Sequence, residues 1–279
     1  MIKSYCKINL FLRVLKKLNN GLHDIQANNA LLELHDNISI KTTSSNNDKI
    51  IFKGKFAKHI NKNKNSVTNT MQLLRKHQLI NTKQKYKIDI NKKIPVFAGL
   101  GGGTSNAAFV MKYFLKNKIN NKILSIFEKK IGTDLRLFFF RNSFQKSLSN
   151  LKEFEKKYNF YFVLVYPNIK CSTKNIYSKL RVYKAPLKLD PIKIKSKKEY
   201  ISLIKNEINC LQNIVEKKHK KINFVLRLIE SQTNCVFSRI TGSGSACYGL
   251  FRDKKKAINA LKFIRKKLPN FWCVITKTI

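Results

Sequence analysis

The sequence predicts an α+β fold, and three stretches carry that prediction. The opening YCKINLFLRVL alternates apolar and polar residues and reads as a strand. YKIDINKKIP alternates in the same way, and a glycine-rich loop and a run of good helix formers follow it. CVFSRITGSGSACYGLF, Cys235 to Phe251, reads as strand, glycine turn, strand; a basic helix, Lys254 to Lys267, and a last strand, FWCVITKT, close the chain.

The elements between these can be taken in order. NNGLHDIQ, Asn19 to Gln26, offers turn residues and then a hydrophobic restart. LLELHDNISIKTT reads as helix end or strand, then turn, then strand. SVTNTMQLLRKHQLI, Ser66 to Ile80, reads as a helix with Ser66 as its cap and Val67, Met71, Leu74 and Leu79 on one face. In YKIDINKKIP, Ile88 and Ile90 point inward, with Tyr86 a third candidate, and the strand stops at Pro95. A helix follows from Ser105 through Leu115, and another from Asn121 to Lys130 ends near Gly132. FYFVLVYP, Phe160 to Pro167, is a buried strand with a hard stop. The lysine-rich stretch Lys184 to Lys198 is the candidate loose connection between halves, and Glu207 to Ser231 is largely helical.

A chain of 279 residues, 43% of them hydrophobic, can fill one large core or two ordinary ones. Lys7, Asn9 and Arg13 interrupt the N-terminal apolar residues and no cleavage pattern follows, so no signal peptide is read. The apolar run LRLFFF, Leu135 to Phe140, falls far short of the ~20 residues that cross a bilayer. These features predict a soluble, cytoplasmic protein without a membrane partner. Cys6, Cys171, Cys210, Cys235, Cys247 and Cys273 include no Cys-x-x-Cys pair. That argues against a zinc ribbon, a redox dithiol and, with no export signal, a disulfide framework.

The charge is lopsided: 57 Lys and Arg against 15 Asp and Glu, a net +42. Clustered cations bind nucleic acid by releasing counterions from phosphates. Here the excess is mostly lysine spread from end to end among abundant Asn and Ile, residues whose codons are all A/T-rich. No basic block alternates with aromatics as in a nucleic-acid module. Compositional bias is therefore the stronger reading and weighs against a nucleic-acid partner, although so positive a field still draws anions, polyphosphates included.

PVFAGLGGGTSNAA, Pro95 to Ala108, holds four glycines within five residues in a chain that has only ten. A tight turn needs one or two; this many imply that something approaches the backbone closely. The loop stands between a strand and a helix, where converging N–H groups and a helix N-terminus suit a phosphate. No Gly-Lys-Ser/Thr follows, so it is not a Walker P-loop. No acidic residue lies about 20 positions on to hold a ribose, Glu128 in a lysine-rich helix being the nearest, so a dinucleotide fingerprint fits poorly.

The loop resembles the ATP-phosphate loop of the GHMP kinases. Within that superfamily it is similar to the branch that phosphorylates a cytidine diphosphate methylerythritol in the non-mevalonate route to isoprenoids. Four further stretches fall in the same order. CKINLFL, Cys6 to Leu12, resembles the family's opening strand, and GLHDIQ, Gly21 to Gln26, its cytidine-recognition segment. GTDLRLFFF, Gly132 to Phe140, resembles the segment with the catalytic aspartate, and TGSGSACYGLF, Thr241 to Phe251, the second glycine loop. NCLQNIV, Asn209 to Val215, is a weaker match. The similarity covers nearly the whole chain. It implies an N-terminal ribosomal-S5-like domain over 1–150 and a C-terminal ferredoxin-like domain over 151–279, with the active site between them. It implies ATP and Mg²⁺ as cofactors and transfer of the γ-phosphoryl to the C2 hydroxyl of the substrate. Monomer and homodimer both stay open.

The resemblance also implies roles. Asp134 is the candidate general base, and Lys7 its ion-pair partner, able to stabilise an alkoxide or the transferring phosphoryl. Pro95, Ala98, Gly99, Leu100, Gly101, Gly102 and Gly103 form the ATP loop. Thr104 and Ser105 offer hydroxyls to phosphate or metal, and which of them meets the metal is open. Asn65 matches a position near the nucleotide, with a plain helix cap as the equal alternative. His23 resembles the residue that reads the cytosine ring, Tyr177 stands where an aromatic stacks on it, and Asn9 is a candidate for the methylerythritol hydroxyls. Leu22 departs from the family by replacing a second stacking aromatic. Arg136 replaces a proline, Phe97 a small residue, and Cys210 and Gln212 acidic residues. Two rivals remain: another small-molecule GHMP kinase, of homoserine or mevalonate type, and a basic nucleic-acid-binding protein on a retired kinase fold.

Overall fold

A computed structural model describes residues 1–148, 150–154 and 158–279 of the chain. The opening alternation extends through β1, Ile2–Lys17, which a turn at 18–22 joins to β2, His23–Thr43. The helix end and turn expected in LLELHDNISIKTT are not there: β2 runs unbroken. Asp36 looks like a turn residue, but its carboxylate takes the backbone N–H groups of Lys93 and Ile94, and Asn37–Thr43 pair with a neighbouring strand. Both satisfy in a strand what a turn would satisfy locally.

The chain forms two compact units, and β1 and β2 pass through both. The first comprises Met1–Lys7, Leu34–Val96 and Gly101–Phe139. In it β3, Lys49–Lys53, lies parallel to β4, Lys85–Asn91, which pairs antiparallel with Asn37–Thr43 of β2. Ile38, Ile88 and Ile90 are fully buried. Three helices pack in the same unit: α1, Ser66–Lys76, α2, Gly102–Leu115, and α3, Asn121–Ile131. A 3₁₀ segment, Thr133–Phe139, packs on α2 and α3. The cap of α1 is Asn65 rather than Ser66; its side chain accepts from the N–H groups of Val67 and Thr68. The helix stops at Lys76, short of Ile80. α2 starts earlier than Ser105, because Gly101, at φ +69°, turns the chain directly into it.

The second unit comprises Ile8–Glu33, Phe97–Leu100 and Phe140–Ile279. The first part of β2 pairs antiparallel with β5, Asn142–Gln145, which pairs with β6, Leu151–Glu153. A separate antiparallel sheet contains β7, Tyr161–Tyr166, β8, Cys235–Ile240, β9, Cys247–Phe251, and β10, Trp272–Lys277, in the order β10-β7-β9-β8. Helices α4, Thr173–Tyr177, α5, Lys197–Asn206, and α6, Gln212–Lys218, precede the longer α7, Lys220–Glu230; α8, Lys254–Lys267, follows β9. α7 and α8 pack on the sheet and complete a β-α-β-β-α-β ferredoxin-like arrangement. Val163, Val165, Val225, Ile229 and Ile264 form its core.

The stretch expected to be a loose connection is anchored instead. Lys184 N–H donates to the Val14 carbonyl at 2.8 Å, Leu187 N–H to Gln26 Oε1 at 2.6 Å, and the Ala185 carbonyl accepts from Arg13 at 2.8 Å. All six cysteines are free thiols. Among the described residues no helix is long and apolar enough to cross a membrane.

Candidate active site

In the first unit β1 delivers Lys7 and the 3₁₀ segment delivers Asp134. Lys7 Nζ lies 3.3 Å from Asp134 Oδ2. The lysine is 5% exposed and the aspartate 42%, so the ammonium is fixed in the protein while the carboxylate faces outward. Arg136, the departure from proline, bonds Glu128 at 2.8 Å and Asn121 at 2.9 Å, and so ties the segment bearing Asp134 to α3.

Gly101, Gly102 and Gly103 lie at the start of α2. The first N–H groups of any helix lack intrahelical partners, and here they belong to residues with little or no side chain. A Cβ on Gly101 would come within 2.7 Å of Phe138 Cζ and 3.2 Å of Lys7 Cγ. Gly103 is exposed, with only Ser66 Oγ within van der Waals reach of an added Cβ, at 3.4 Å. The hydroxyls that follow differ. Ser105 is wholly buried and donates to the Tyr5 carbonyl at 2.6 Å, with Ser4 Oγ 2.7 Å away. Thr104 is part-exposed. The expectation that Ser105 offers its hydroxyl to a ligand is therefore corrected: Thr104 and Ser105 point about 100° apart around the helix, and Ser105 is on the inward side. Asn65 forms the cap, and its Nδ2 also donates to the carbonyls of Asn61 and Lys62, both at 3.1 Å. Pro95 is buried ahead of the loop.

In the second unit Ala98, Gly99 and Leu100 lie against the second glycine loop. Ala246 N–H donates to the Ala98 carbonyl at 3.0 Å, and a Cβ on Gly99 would overlap the Thr241 carbonyl. Thr241 Oγ1 accepts the Asn9 N–H at 3.1 Å, and Asn9 Nδ2 donates to Asn29 Oδ1 at 2.6 Å. Thr241 and Asn29 were not singled out from the sequence. Phe97 takes φ +58° and leaves its ring 55% exposed, with Lys170 Nζ 5.8 Å from the ring centre.

His23 and Tyr177 come together as the motifs suggested, with ring centres 4.9 Å apart. Sequence reasoning missed a third ring, Tyr183, whose centre lies 6.4 Å from His23. Leu22 is exposed beside this cluster in sequence and adds no ring to it. Burial, and then the charge of Lys17, lower the His23 pKa, which favours a neutral imidazole with one donor and one acceptor nitrogen. Gln212 accepts the Ile240 N–H at 3.1 Å and donates to Glu216 at 2.8 Å, a bridging role for which its amide has both the donor and the acceptor. Cys210 is part-buried and its thiol pKa is raised by that burial.

Comparison with known proteins adds to this geometry. The GHMP kinases N-terminal domain family matches residues 65–131, and the GHMP kinases C-terminal family matches residues 194–270. A 4-diphosphocytidyl-2-C-methyl-D-erythritol kinase of Pelagibacter ubique is 34% identical over all of this chain and 98% of its own length. One from a Wolbachia of Drosophila simulans is 31% identical over the full length of both. A crystal structure of a 4-(cytidine 5'-diphospho)-2C-methyl-D-erythritol kinase superposes with a TM-score of 0.75 at 20% identity, covering all of this chain and 99% of that one. Homoserine kinase from Cytophaga hutchinsonii superposes at 0.66 with 14% identity, covering 100% and 96%.

Proposed function

The chain belongs to the 4-diphosphocytidyl-2-C-methyl-D-erythritol kinases within the GHMP kinases, and we propose that Asp134, beside Lys7, orients the C2 hydroxyl of that substrate for attack on ATP. In the reaction an oxygen–phosphorus bond forms at that hydroxyl, the bond to the β-phosphate oxygen breaks, and ADP and the 2-phosphate leave. The hydroxyl proton passes to the Asp134 carboxylate, whose exposure leaves it open to substrate. The neighbouring ammonium stabilises the charge that develops on the oxygens. Phosphoryl transfer depends chiefly on such positioning and charge stabilisation.

The first turn of α2, with Gly101, Gly102 and Gly103, is the ATP-phosphate site of this reading, and Pro95, Ala98, Gly99 and Leu100 shape the loop that enters it. Mg²⁺ would be held by phosphate oxygens and the Thr104 hydroxyl, the outward one of the pair, and would neutralise phosphate charge. His23, Tyr177 and Tyr183 would take the cytosine, and Asn9, held by Asn29, the methylerythritol hydroxyls. Residues 1–150 are assigned as the N-terminal and 151–279 as the C-terminal kinase domain; the two family matches, one on each side of that boundary, support the division.

The observation that carries the mechanism is the Lys7–Asp134 pair, a buried cation facing an exposed carboxylate. The test is ADP release with ATP and Mg²⁺, with and without the cytidine substrate, for the wild type and Asp134→Ala. Substrate-dependent release that Asp134→Ala abolishes is expected. Release only with homoserine or mevalonate would replace the substrate, and unchanged release by Asp134→Ala would remove its role.

A further inference from the structure

Asp36 is wholly buried on β2, and its carboxylate meets four donors. Oδ1 accepts the backbone N–H groups of Lys93 at 2.7 Å and Ile94 at 2.9 Å. Oδ2 accepts Asn106 Nδ2 at 3.0 Å and the ammonium of Lys92. Lys92 is as deeply buried as its partner and also donates to Asn106 Oδ1 at 2.8 Å. Burial lowers the Lys92 pKa, and the Asp36 charge opposes that shift. From Asn106 the network continues: its Nδ2 donates to Ser4 Oγ at 2.9 Å, Ser4 meets Ser105 Oγ at 2.7 Å, and Ser105 donates to the Tyr5 carbonyl at 2.6 Å.

Stability alone is a poor reason to bury such a pair, since well-packed apolar residues often serve as well or better. What apolar residues would not do is fix three segments by directed bonds. Lys93 and Ile94 lead into the glycine loop. Ser105 and Asn106 lead out of it, along α2. Ser4 and Tyr5 lie just before Lys7 on β1. The first turn of α2 rests on the same network: a Cβ on Gly102 would stand 2.9 Å from Ile94 Cγ2 and 3.4 Å from Lys92 Nζ.

We propose that Asp36 and Lys92 are positioning residues for phosphoryl transfer, holding both stems of the glycine loop and the strand that bears Lys7 in one register so that ATP meets a preformed loop. The inference rests on reading that loop as the ATP site. A loop this rich in glycine loses much entropy when it orders, and any ordering left until ATP arrives reduces ATP affinity. His23 and Tyr177 belong to the second compact unit and the network to the first, so the proposal predicts a change in ATP affinity and none in cytidine-substrate affinity.

The test is the double variant Asp36→Asn/Lys92→Met. It removes both charges, while the asparagine oxygen can still accept the N–H groups of Lys93 and Ile94. ATP and ADP binding are measured by calorimetry, both KM values and kcat by ADP release, and folding by thermal melting. The expected result is a folded protein whose ATP affinity falls by about tenfold or more, with KM for the cytidine substrate unchanged. A folded double variant with wild-type ATP affinity and kcat overturns the proposal, and so does an equal rise of both KM values. Should the double variant not fold, Ser105→Ala removes only that hydroxyl's bonds to Ser4 and to the Tyr5 carbonyl, leaving Asn106 bonded to Ser4. A rise of about threefold in ATP Kd is then expected, with the cytidine KM unmoved, and no rise counts against the proposal. Calorimetry of the wild type separates the two levels: a protein that binds ATP but phosphorylates nothing fails the proposed function and leaves the network testable, whereas one that binds no ATP fails both.

Discussion

Gly101→Ala tests the glycine loop where two independent costs meet. Gly101 sits at φ +69°, and an L-residue with a Cβ loses roughly 1–2 kcal/mol there. The new methyl would also stand 2.7 Å from Phe138 Cζ, closer than real Cβ contacts, and a tight 3.2 Å from Lys7 Cγ, and such overpacking costs about 1–3 kcal/mol. The sum, on the order of 2–5 kcal/mol, is a large part of a domain's stability but less than most domains possess. The catalytic loss should exceed what unfolding explains, because Phe138 shares its short segment with Asp134 and Lys7 is the partner of Asp134. A shift of about 1 Å between such groups can cost on the order of 10²-fold in kcat. Gly103→Ala is the matched control. Its φ is not in the left-handed range and its Cβ would touch only Ser66 Oγ, at 3.4 Å, so stability should hold or rise by up to about 1 kcal/mol from helix propensity. Its methyl would stand on the outward face of the loop, and ATP KM should rise while kcat at saturation holds better than in Gly101→Ala. Urea unfolding and ADP release, run on both variants, decide the matter. Gly101→Ala with wild-type stability and kcat would refute the packing argument, and Gly103→Ala with unchanged ATP affinity would refute the claim that a ligand explains that glycine.

Burial, and then the charge of Lys17, lower the His23 pKa, so the rise of cytidine-substrate KM on acidification should be centred below the ordinary imidazole value of 6.5. His23→Gln should remove that acid limb, and a rise centred at or above pH 6.5 in the wild type would contradict the assignment. Tyr183→Ala should raise KM for the cytidine substrate by about fivefold, the low end of the range for base stacking because the ring is 39% exposed, and leave ATP KM alone. Wild-type KM values would show that the ring is a bystander. Lys112 donates to the Phe138 carbonyl at 2.6 Å, and burial lowers its pKa from 10.5 to about 8. Between those values the unfolded chain holds a proton that the folded one has lost, so stability should rise with pH across that window by an amount that Lys112→Met abolishes. Melting curves of the two proteins that run parallel from pH 8 to 10.5 would refute the shift.

The strands and helices with a clean period were legible: Ile88 and Ile90 face inward as their alternation demands, and the basic helix runs from Lys254 to Lys267 as read. The errors came where a polar residue's partner is distant in sequence. His35-Asp36-Asn37 has turn composition, yet it stays in a strand because residues 93 and 94 supply the donors that a turn would have supplied. The start of α2 was misplaced because glycines weaken a helix pattern, whereas here the left-handed Gly101 begins the helix. The Lys7–Asp134 pairing and the meeting of His23 with Tyr177 were suggested by the motifs the chain shares with the kinases, not by periodicity. Tyr183 has no motif of its own. Its position depends on backbone bonds from its neighbours to Val14 and Gln26, which no local pattern encodes.

Lys92 shows how a charge excess can hide a functional group, and also how the sequence could have exposed it. With so many lysines, residue type alone marks none of them. Position does: Ile88, Ile90, Lys92 and Ile94 occupy alternate positions, all four are buried, and the lysine therefore continues the inward face of β4 beyond its last paired residue. Ile38 lies opposite Ile90 in the β2–β4 register, and the next inward position of β2 toward its start is Asp36. A buried lysine requires an opposing charge, and a chain with 15 acidic residues offers few candidates. Two strands that each place a charged inward residue one step beyond an opposed isoleucine pair thus bring those two charges together. The same alternation makes Lys93, outward and exposed, the appropriate control: Lys93→Met removes an equal charge next door in sequence and should leave ATP affinity unchanged. Asp36→Asn/Lys92→Met leaves the net charge unchanged, so a loss as large from Lys93→Met would show that an exposed charge beside the loop governs nucleotide binding as strongly as the buried register does.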